Sequence, residues 1–408
     1  MTNLPQGWEV KKLGEIGEIV TGSTPSKSNL DFYGKDYPFF KPSDFEQGYF
    51  LENAGDNLSK LGFDKARQLP PKTILVVCIG SLGKVALTRV IGSCNQQINA
   101  IIPHKNIIAE YIYYYCISSK FQSILFSKAP QTTLAILNKT EFSKLEIIYP
   151  KDIKEQERIV GILDESFAKI DESIKILEQD LLNLDELMQS ALQKAFNPLK
   201  DNAKENYKLP QGWEWKSLGE IANTSSGGTP SRNKKEYWEN GNIKWLKSGE
   251  LNDGYIDFIE ENITEEAIKN SSAKIFQKGT LLIAMYGATA GKLGILNLDS
   301  TTNQAICAFL HKDKNIKFLE KFLFYFLFFL RDKIIKDSFG GAQPNINQTY
   351  IKNLQIPLPP LKEQEQIASH LDELSSHVKN LKQNYQAQIK DLQELKKSLL
   401  DKAFKGNL

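Results

Sequence analysis

The chain has 408 residues, 41% of them hydrophobic, which is enough for two to four domains with buried cores. Its formal net charge of +2 excludes a strongly basic clamp that grips nucleic acid unaided, and its longest apolar stretch falls far short of the roughly 20 residues a bilayer span needs. Four cysteines (Cys78, Cys94, Cys116 and Cys307) form no CxxC and no zinc-like spacing with the four histidines, so a disulfide framework and a structural metal are excluded and a reduced, cytoplasmic setting is expected.

The first element to be read is LPQGWE, Leu4 to Glu9, which recurs letter for letter at Leu209 to Glu214. No apolar run follows Lys11 and Lys12, so no secretory leader is expected. Next come KKLGEI (Lys11 to Ile16) and the loop TGSTPSKSN (Thr21 to Asn29), answered by KSLGEI (Lys216 to Ile221) and SSGGTPSRN (Ser225 to Asn233). FKPSDFEQG (Phe40 to Gly48) answers LKSGELNDG (Leu246 to Gly254). The predicted strand TILVVCIG (Thr73 to Gly80) answers TLLIAMYG (Thr280 to Gly287), and each is followed by a Gly-Lys turn at Lys84 or Lys292. CNQQI (Cys94 to Ile98) answers TNQAI (Thr302 to Ile306). Helical patterns follow at about 108–126 and 316–337; the second holds Phe322 to Leu330, nine apolar residues that suit a buried helix. The offset between copies drifts only from 205 to 208, as a duplication with small loop changes would. Two mixed α/β modules, residues 1–152 and 201–360, are therefore expected.

Behind each module lies a long amphipathic helix, residues 153–200 and 361–408. In the first, Ile159, Leu163, Phe167, Ile170, Ile174, Leu177, Leu181, Leu184, Met188, Ala191 and Ala195 recur in steps of three and four. The second repeats this with Ile367, Leu371, Leu374, Val378, Leu381, Tyr385, Gln388, Leu392, Leu395 and Leu399. That spacing averages near 3.5, the seam of a coiled coil. Gln388 is its one polar member and a candidate for fixing register. Pro198 is expected to stop the first helix, and Gly406 follows the second. The bland alternative is two separate helices, each packed on its own module. A narrow stripe lasting about five heptads better suits an intramolecular antiparallel pair related by a pseudo-two-fold axis, a rod with a module at either end.

Charge divides unevenly. Residues 1–152 carry 17 basic and 14 acidic groups, and residues 201–360 carry 20 and 18, so both modules are mildly basic. Residues 153–200 carry 6 and 10 and are acidic, and residues 361–408 carry 8 and 7. Any DNA binding should be weak without partners.

Catalytic signatures are missing. GATAGKL (Gly287 to Leu293) has three residues between its glycines and Leu293 after the lysine, whereas a phosphate loop needs four residues and then Ser or Thr. No GxGxxG, HExxH or GxSxG occurs, nor an Asn/Asp-Pro-Pro-aromatic tetrapeptide for holding a flipped adenine. Polar loops remain as binding candidates. Thr21, Ser23, Thr24, Ser26 and Lys27, with Ser226, Thr229, Ser231 and Arg232, combine small hydroxyls with a cation. An aromatic follows at Tyr33, or at Tyr237 and Trp238. Lys41 and Ser43, Lys247 and Ser248, and the turn lysines Lys84 and Lys292 complete the set. Such groups suit phosphate and base-edge contacts, and an ordinary solvated turn is the rival reading at each. A structural tandem coiled-coil scaffold, or a stand-alone methyltransferase or nuclease, are the other functions to weigh.

The doubled, ordered series LPQGWE…LGEI…GSTP, GSLGK or GATAGK, TNQAI, AQPNIN and LPPLKEQEQI resembles the specificity subunits of type I restriction-modification systems across essentially the full chain. Ala129 to Thr140 departs from it, having no adjacent Pro-Asn pair like that within Gly341 to Thr349. The resemblance implies two target-recognition domains, each reading one part of a split double-stranded DNA site, with Gln343 and Asn345 of AQPNIN among the contacts. It implies that the helices set the unspecified spacer between those parts. It also implies two methyltransferase subunits bringing S-adenosylmethionine, restriction subunits bringing ATP-driven, Mg2+-dependent cleavage, and no cofactor on this chain.

Overall fold

Both copies of LPQG make the same tight turn, because Gly7 and Gly212 adopt φ of +84° and +87°, a left-handed conformation that favours glycine. The turns close through Trp8 N–H to Pro5 O at 3.1 Å and Trp213 N–H to Pro210 O at 3.0 Å. Each then enters a strand, Trp8–Lys12 or Glu214–Ser217, that pairs antiparallel with Glu146–Pro150 or Gln355–Leu358, the last strand before a long helix. The repeated hexapeptide thus joins the start of each module to its end. The computed structural model describes residues 4–129, 135–196, 209–312, 318–337 and 346–408; Pro198, Gln343 and Asn345 lie outside them.

Each module centres on a five-stranded sheet. In the first, the order is Gly17–Thr21, Ile98–Pro103, Ile74–Val77, Val85–Thr88 and Phe50–Leu51. In the second it is Ala222–Ser226, Ile306–His311, Leu281–Ala284, Leu293–Leu296 and Gly254–Ile256. Neighbours are antiparallel except the last pair of each, which is parallel. The central strands explain the unbroken apolar runs of the sequence. Ile74 and Val76 face one core and Leu75 and Val77 the other, so both faces are buried. Leu281 and Ile283 against Leu282 and Ala284 repeat this. Each fully buried aliphatic side chain contributes about 1.5–3 kcal/mol.

One face of each sheet is covered by an aromatic helix. The predicted helix at 108–126 is two, Ala109–Ile117 and Ser119–Lys128, broken at the buried Ser118, whose Oγ caps the second. Its counterpart is one helix, Glu320–Lys336, with Phe322 to Leu327 buried. Among the described residues no helix is long and apolar enough to cross a membrane.

The long helices run Ile153–Phe196 and Leu361–Ala403. The chain divides into two units, residues 1–178 with 385–408, and residues 179–384. Each helix therefore belongs partly to both. Within the first unit, Arg158 bonds the carbonyl of Leu408 and Asp171 pairs with Lys396, so the helices run antiparallel. Within the second, Asp185 of the first long helix pairs with Lys382 of the other.

Of the predicted seam, Ile159, Leu163, Ile170, Leu184, Leu371 and Val378 are buried. Phe167, Ile174, Leu177, Leu181, Leu374, Tyr385 and Leu392 are half-buried. Leu381 is 39% exposed, and Leu395 and Gln388 are also exposed, so Gln388 is not a buried register polar. A 3.6-residue helix drifts about 20° per heptad against a 3.5 pattern, which brings Ile389 and the stems of Lys382 and Lys396 inward instead.

Candidate nucleic-acid interface

In the first unit the loop after strand Gly17–Thr21 lies on the CNQQI turn. A Cβ on Gly22 would stand 2.1 Å from the Asn95 carbonyl oxygen and 2.3 Å from that of Cys94, so only glycine allows this approach. Gly22 and Ser23 N–H donate to the carbonyls of Ile98 (3.0 Å) and Cys94 (2.9 Å). The Thr24 hydroxyl bonds Gln96, Thr21 Oγ1 donates to Asn99 Oδ1 at 2.7 Å, and Tyr33 Oη donates to the Pro25 carbonyl at 2.8 Å. Arg67 closes the loop from behind, donating Nη1 to Thr21 O (2.6 Å) and its backbone N–H to Ser23 Oγ (3.2 Å).

The second unit builds the same anchor from its own residues. A Cβ on Gly227 would stand 2.0 Å from the Thr302 carbonyl oxygen. Thr229 bonds Gln304 as Thr24 bonds Gln96. Trp238 Nε1 donates to Ser231 O (3.1 Å) in the role of Tyr33, and Trp245 Nε1 donates to Gly228 O (3.0 Å). Lys274 reaches Ser225 Oγ at 3.2 Å from the place of Arg67. Gln348 Nε2 donates to Ser226 Oγ at 2.6 Å, and its Oε1 accepts from Thr224 Oγ1 at 2.8 Å.

Four of the predicted basic residues are already paired. Lys41 and Lys247 begin short 3-10 turns, their N–H groups capped by Asp44 (2.7 Å) and Glu250 (2.8 Å). Their ammonium groups pair with Asp56 and Glu261, which stand at equivalent positions. Arg232 also bonds Glu261 (2.6 Å) while its guanidinium lies 3.7 Å from the Trp238 ring centroid and 4.8 Å from that of Trp245. Burial pushes the Glu261 carboxyl up, but the bonds from Arg232 and Lys247 outweigh it and hold the group below its ordinary value. Lys84 bonds Glu46 and holds that exposed carboxyl low.

Apart from the paired Lys41, Lys84 and Lys247, the sequence-predicted residues of the described loops separate into two sets. Thr21, Ser23, Thr24, Ser226 and Thr229 fix the loops from within through their hydroxyls. Ser26, Lys27, Ser43, Ser231 and Lys292 are exposed, Ser248 is half-buried, and half of the Arg232 side chain remains open. Arg67 and Lys274, Gln96 and Gln304, and Gln348 were not among the predicted residues. The first two pairs align at offsets of 207 and 208, a signal the duplication itself offers.

Such surfaces bind by hydrogen bonding and charge. Among the described residues no group of three or more His, Cys, Asp or Glu could hold a metal ion. The cysteines are all buried, and burial pushes the thiols of Cys78, Cys94 and Cys307 up to about 12, so they are poor nucleophiles.

The sequence matches the family described as Type I restriction modification DNA specificity domain twice, over residues 5–181 and 210–391. It is 38% identical over 186 residues to the Type I restriction enzyme HindI specificity subunit of Haemophilus influenzae, covering 44% of this chain but only 40% of that protein. It is 26% identical over 419 residues to the MjaIX specificity subunit of Methanocaldococcus jannaschii, covering 99% of this chain and 94% of that one. The HsdS subunit from Thermoanaerobacter tengcongensis shares the fold, with a TM-score of 0.63 and 22% identity over 100% of this chain and 98% of its own. A chain from a study of complex assembly and conformational transition of the type I R-M system superposes with a TM-score of 0.81 at 22% identity, covering both chains fully.

Proposed function

We propose a DNA-reading mechanism on the premise that this chain belongs to the type I restriction-modification DNA specificity family. As a member it is the DNA-recognition subunit of such a system, has no active site of its own, and works with DNA and with other subunits. Each unit places its anchored loop cluster in a groove of double-stranded DNA, where exposed polar side chains read base edges and lysines hold phosphates. The observation that carries this reading is the doubled anchor: the same glycine, threonine–glutamine and aromatic supports hold loops whose outward residues differ, Lys27 in one unit and Arg232 in the other. A shared scaffold with diverged tips suits a target of two unlike parts.

In this reading two methyltransferase subunits bring S-adenosylmethionine, and restriction subunits bring ATP and Mg2+ in the cytoplasm. Modest positive charge follows, since partners supply much of the DNA grip. Co-expressing the chain with its methyltransferase subunit, in a host lacking other systems, should yield one split motif with methylated adenines. A complex that forms but methylates no such motif would return the chain to a structural scaffold role.

The helix pair acts as the ruler for the spacer. Removing one heptad from each helix in register, residues 175–181 and 386–392, keeps the seam in phase and shortens it by about 10 Å, roughly three base pairs. Both half-sites should persist with a shorter spacer. Half-sites that change while the spacer holds would rule the ruler out.

A further inference from the structure

The sheet modules meet their long helices through a joint that sequence periodicity does not reveal. Gln156 and Gln364, the glutamines of the two KEQE segments, are 0% and 1% exposed. Gln156 Oε1 accepts from the Ile108 N–H at 2.9 Å, and its Nε2 donates to the carbonyls of Pro150 (2.9 Å) and Asn106 (3.4 Å). Gln364 Oε1 accepts from the Leu319 N–H at 2.8 Å, and its Nε2 donates to Pro359 O at 2.9 Å. In both units one amide ties together the first turn of the long helix, the end of the last strand and the start of the aromatic helix.

Eight residues further along each helix stands a second tie. Asp164 accepts from the Tyr114 hydroxyl, and Asp372 accepts from Tyr325 Oη at 2.8 Å and from Lys321. Eight residues are just over two turns, so the two polar groups lie on one face about 12 Å apart. Buried apolar side chains, Ile159 and Leu163 in one helix and Ala368 and Leu371 in the other, fill the interval.

An apolar face packs in several rotations and registers at similar cost. A buried amide whose partners are fixed backbone groups has one, because any slip leaves donors and acceptors unsatisfied. A buried glutamine present at the same point of both units thus fixes geometry: a leucine of like volume would fill the space but could not make the bonds to the Ile108 and Leu319 N–H groups and the Pro150 and Pro359 carbonyls.

We infer that Gln156 with Asp164, and Gln364 with Asp372, are positioning residues that set the angle at which each recognition module leaves its helix, and through it the spacer length the protein accepts. This rests on the reading of the helix pair as a ruler. The test uses the full chain co-expressed with its methyltransferase subunit, comparing wild type with Gln156→Leu and Gln364→Leu by genome-wide mapping of methylated adenines. Tyr114→Phe and Tyr325→Phe, which remove only a hydroxyl, guard against loss of folding, and thermal unfolding is followed for all.

The expected result is unchanged half-sites with methylation spreading to spacers one base pair shorter or longer. The ratio of off-spacer to correct sites should rise about tenfold in the leucine variants and less in the phenylalanine variants. Methylation that falls evenly at all sites, with the spacer profile unchanged, would overturn the inference and leave a packing role. A wild-type complex that methylates no split motif would overturn the underlying reading and this inference with it.

Discussion

Phe404→Ala should destabilise the first unit by about 3–5 kcal/mol, although it lies four residues from the last residue of the chain. Phe404 is 5% exposed, with its ring edge-on to Tyr111 and Tyr115 at centroid distances of 5.5 and 5.1 Å. Leu400 and Ala403 lie buried in the same core, and Leu399 packs against it. Truncation to alanine removes both the transferred surface and the edge-to-face contacts, and the closely packed tyrosines cannot collapse into the gap. Hydrogen exchange should show helix Ala109–Ile117 losing protection while Glu320–Lys336 keeps it.

The repeat supplies the reciprocal experiment. Phe196 ends the first long helix and packs on Phe322 and Phe326 of the second unit at 5.3 and 5.6 Å. Phe196→Ala should loosen Glu320–Lys336 and spare Ala109–Ile117. If each variant instead loosened the module nearest in sequence, the assignment of helix ends to units would be wrong.

The second large effect is expected of Gly227→Ala, on the order of 2–3 kcal/mol with loss of DNA methylation by the assembled complex. The added Cβ meets the Thr302 carbonyl at 2.0 Å and Thr302 Oγ1 at 2.3 Å. The carbonyl belongs to a strand paired on both sides, Ser300–Thr302, so the loop rather than the strand must move. Moving it disrupts the Thr229–Gln304 and Trp238–Ser231 anchors together. Gly22→Ala should act alike in the first unit. Gly249→Ala is the control for folding, since its Cβ would meet nothing within 4 Å, and its melting temperature should match the wild type. Equal losses in all three would point to a general intolerance of the modules and not to the close approach.

Much of this protein is legible without coordinates. Self-similarity requires two equal modules because the same residues at the same spacing fold alike, and the drift in offset marks where loops differ. Unbroken apolar runs such as Ile74 to Val77 announce strands buried on both faces. Steps of three and four announce the helix seam, since each records a local period of the backbone. The candidate loops are found in the same way, yet their hydroxyls could not be sorted in advance. Thr24 and Lys27 are equally polar in the sequence, and only the approach of Gln96, 72 residues away, turns one inward.

The duplicated modules, the two long helices and the paired polar loops can be read along the chain, because each is written in local period or in repetition. Only the tertiary structure decided that Phe404 completes the first unit, that Gln156 and Gln364 lie buried at the joints, and that Leu381 faces solvent. Those outcomes depend on groups far apart along the chain meeting in space, and on the slow drift of a 3.6-residue helix against a 3.5-residue pattern. No local pattern carries either.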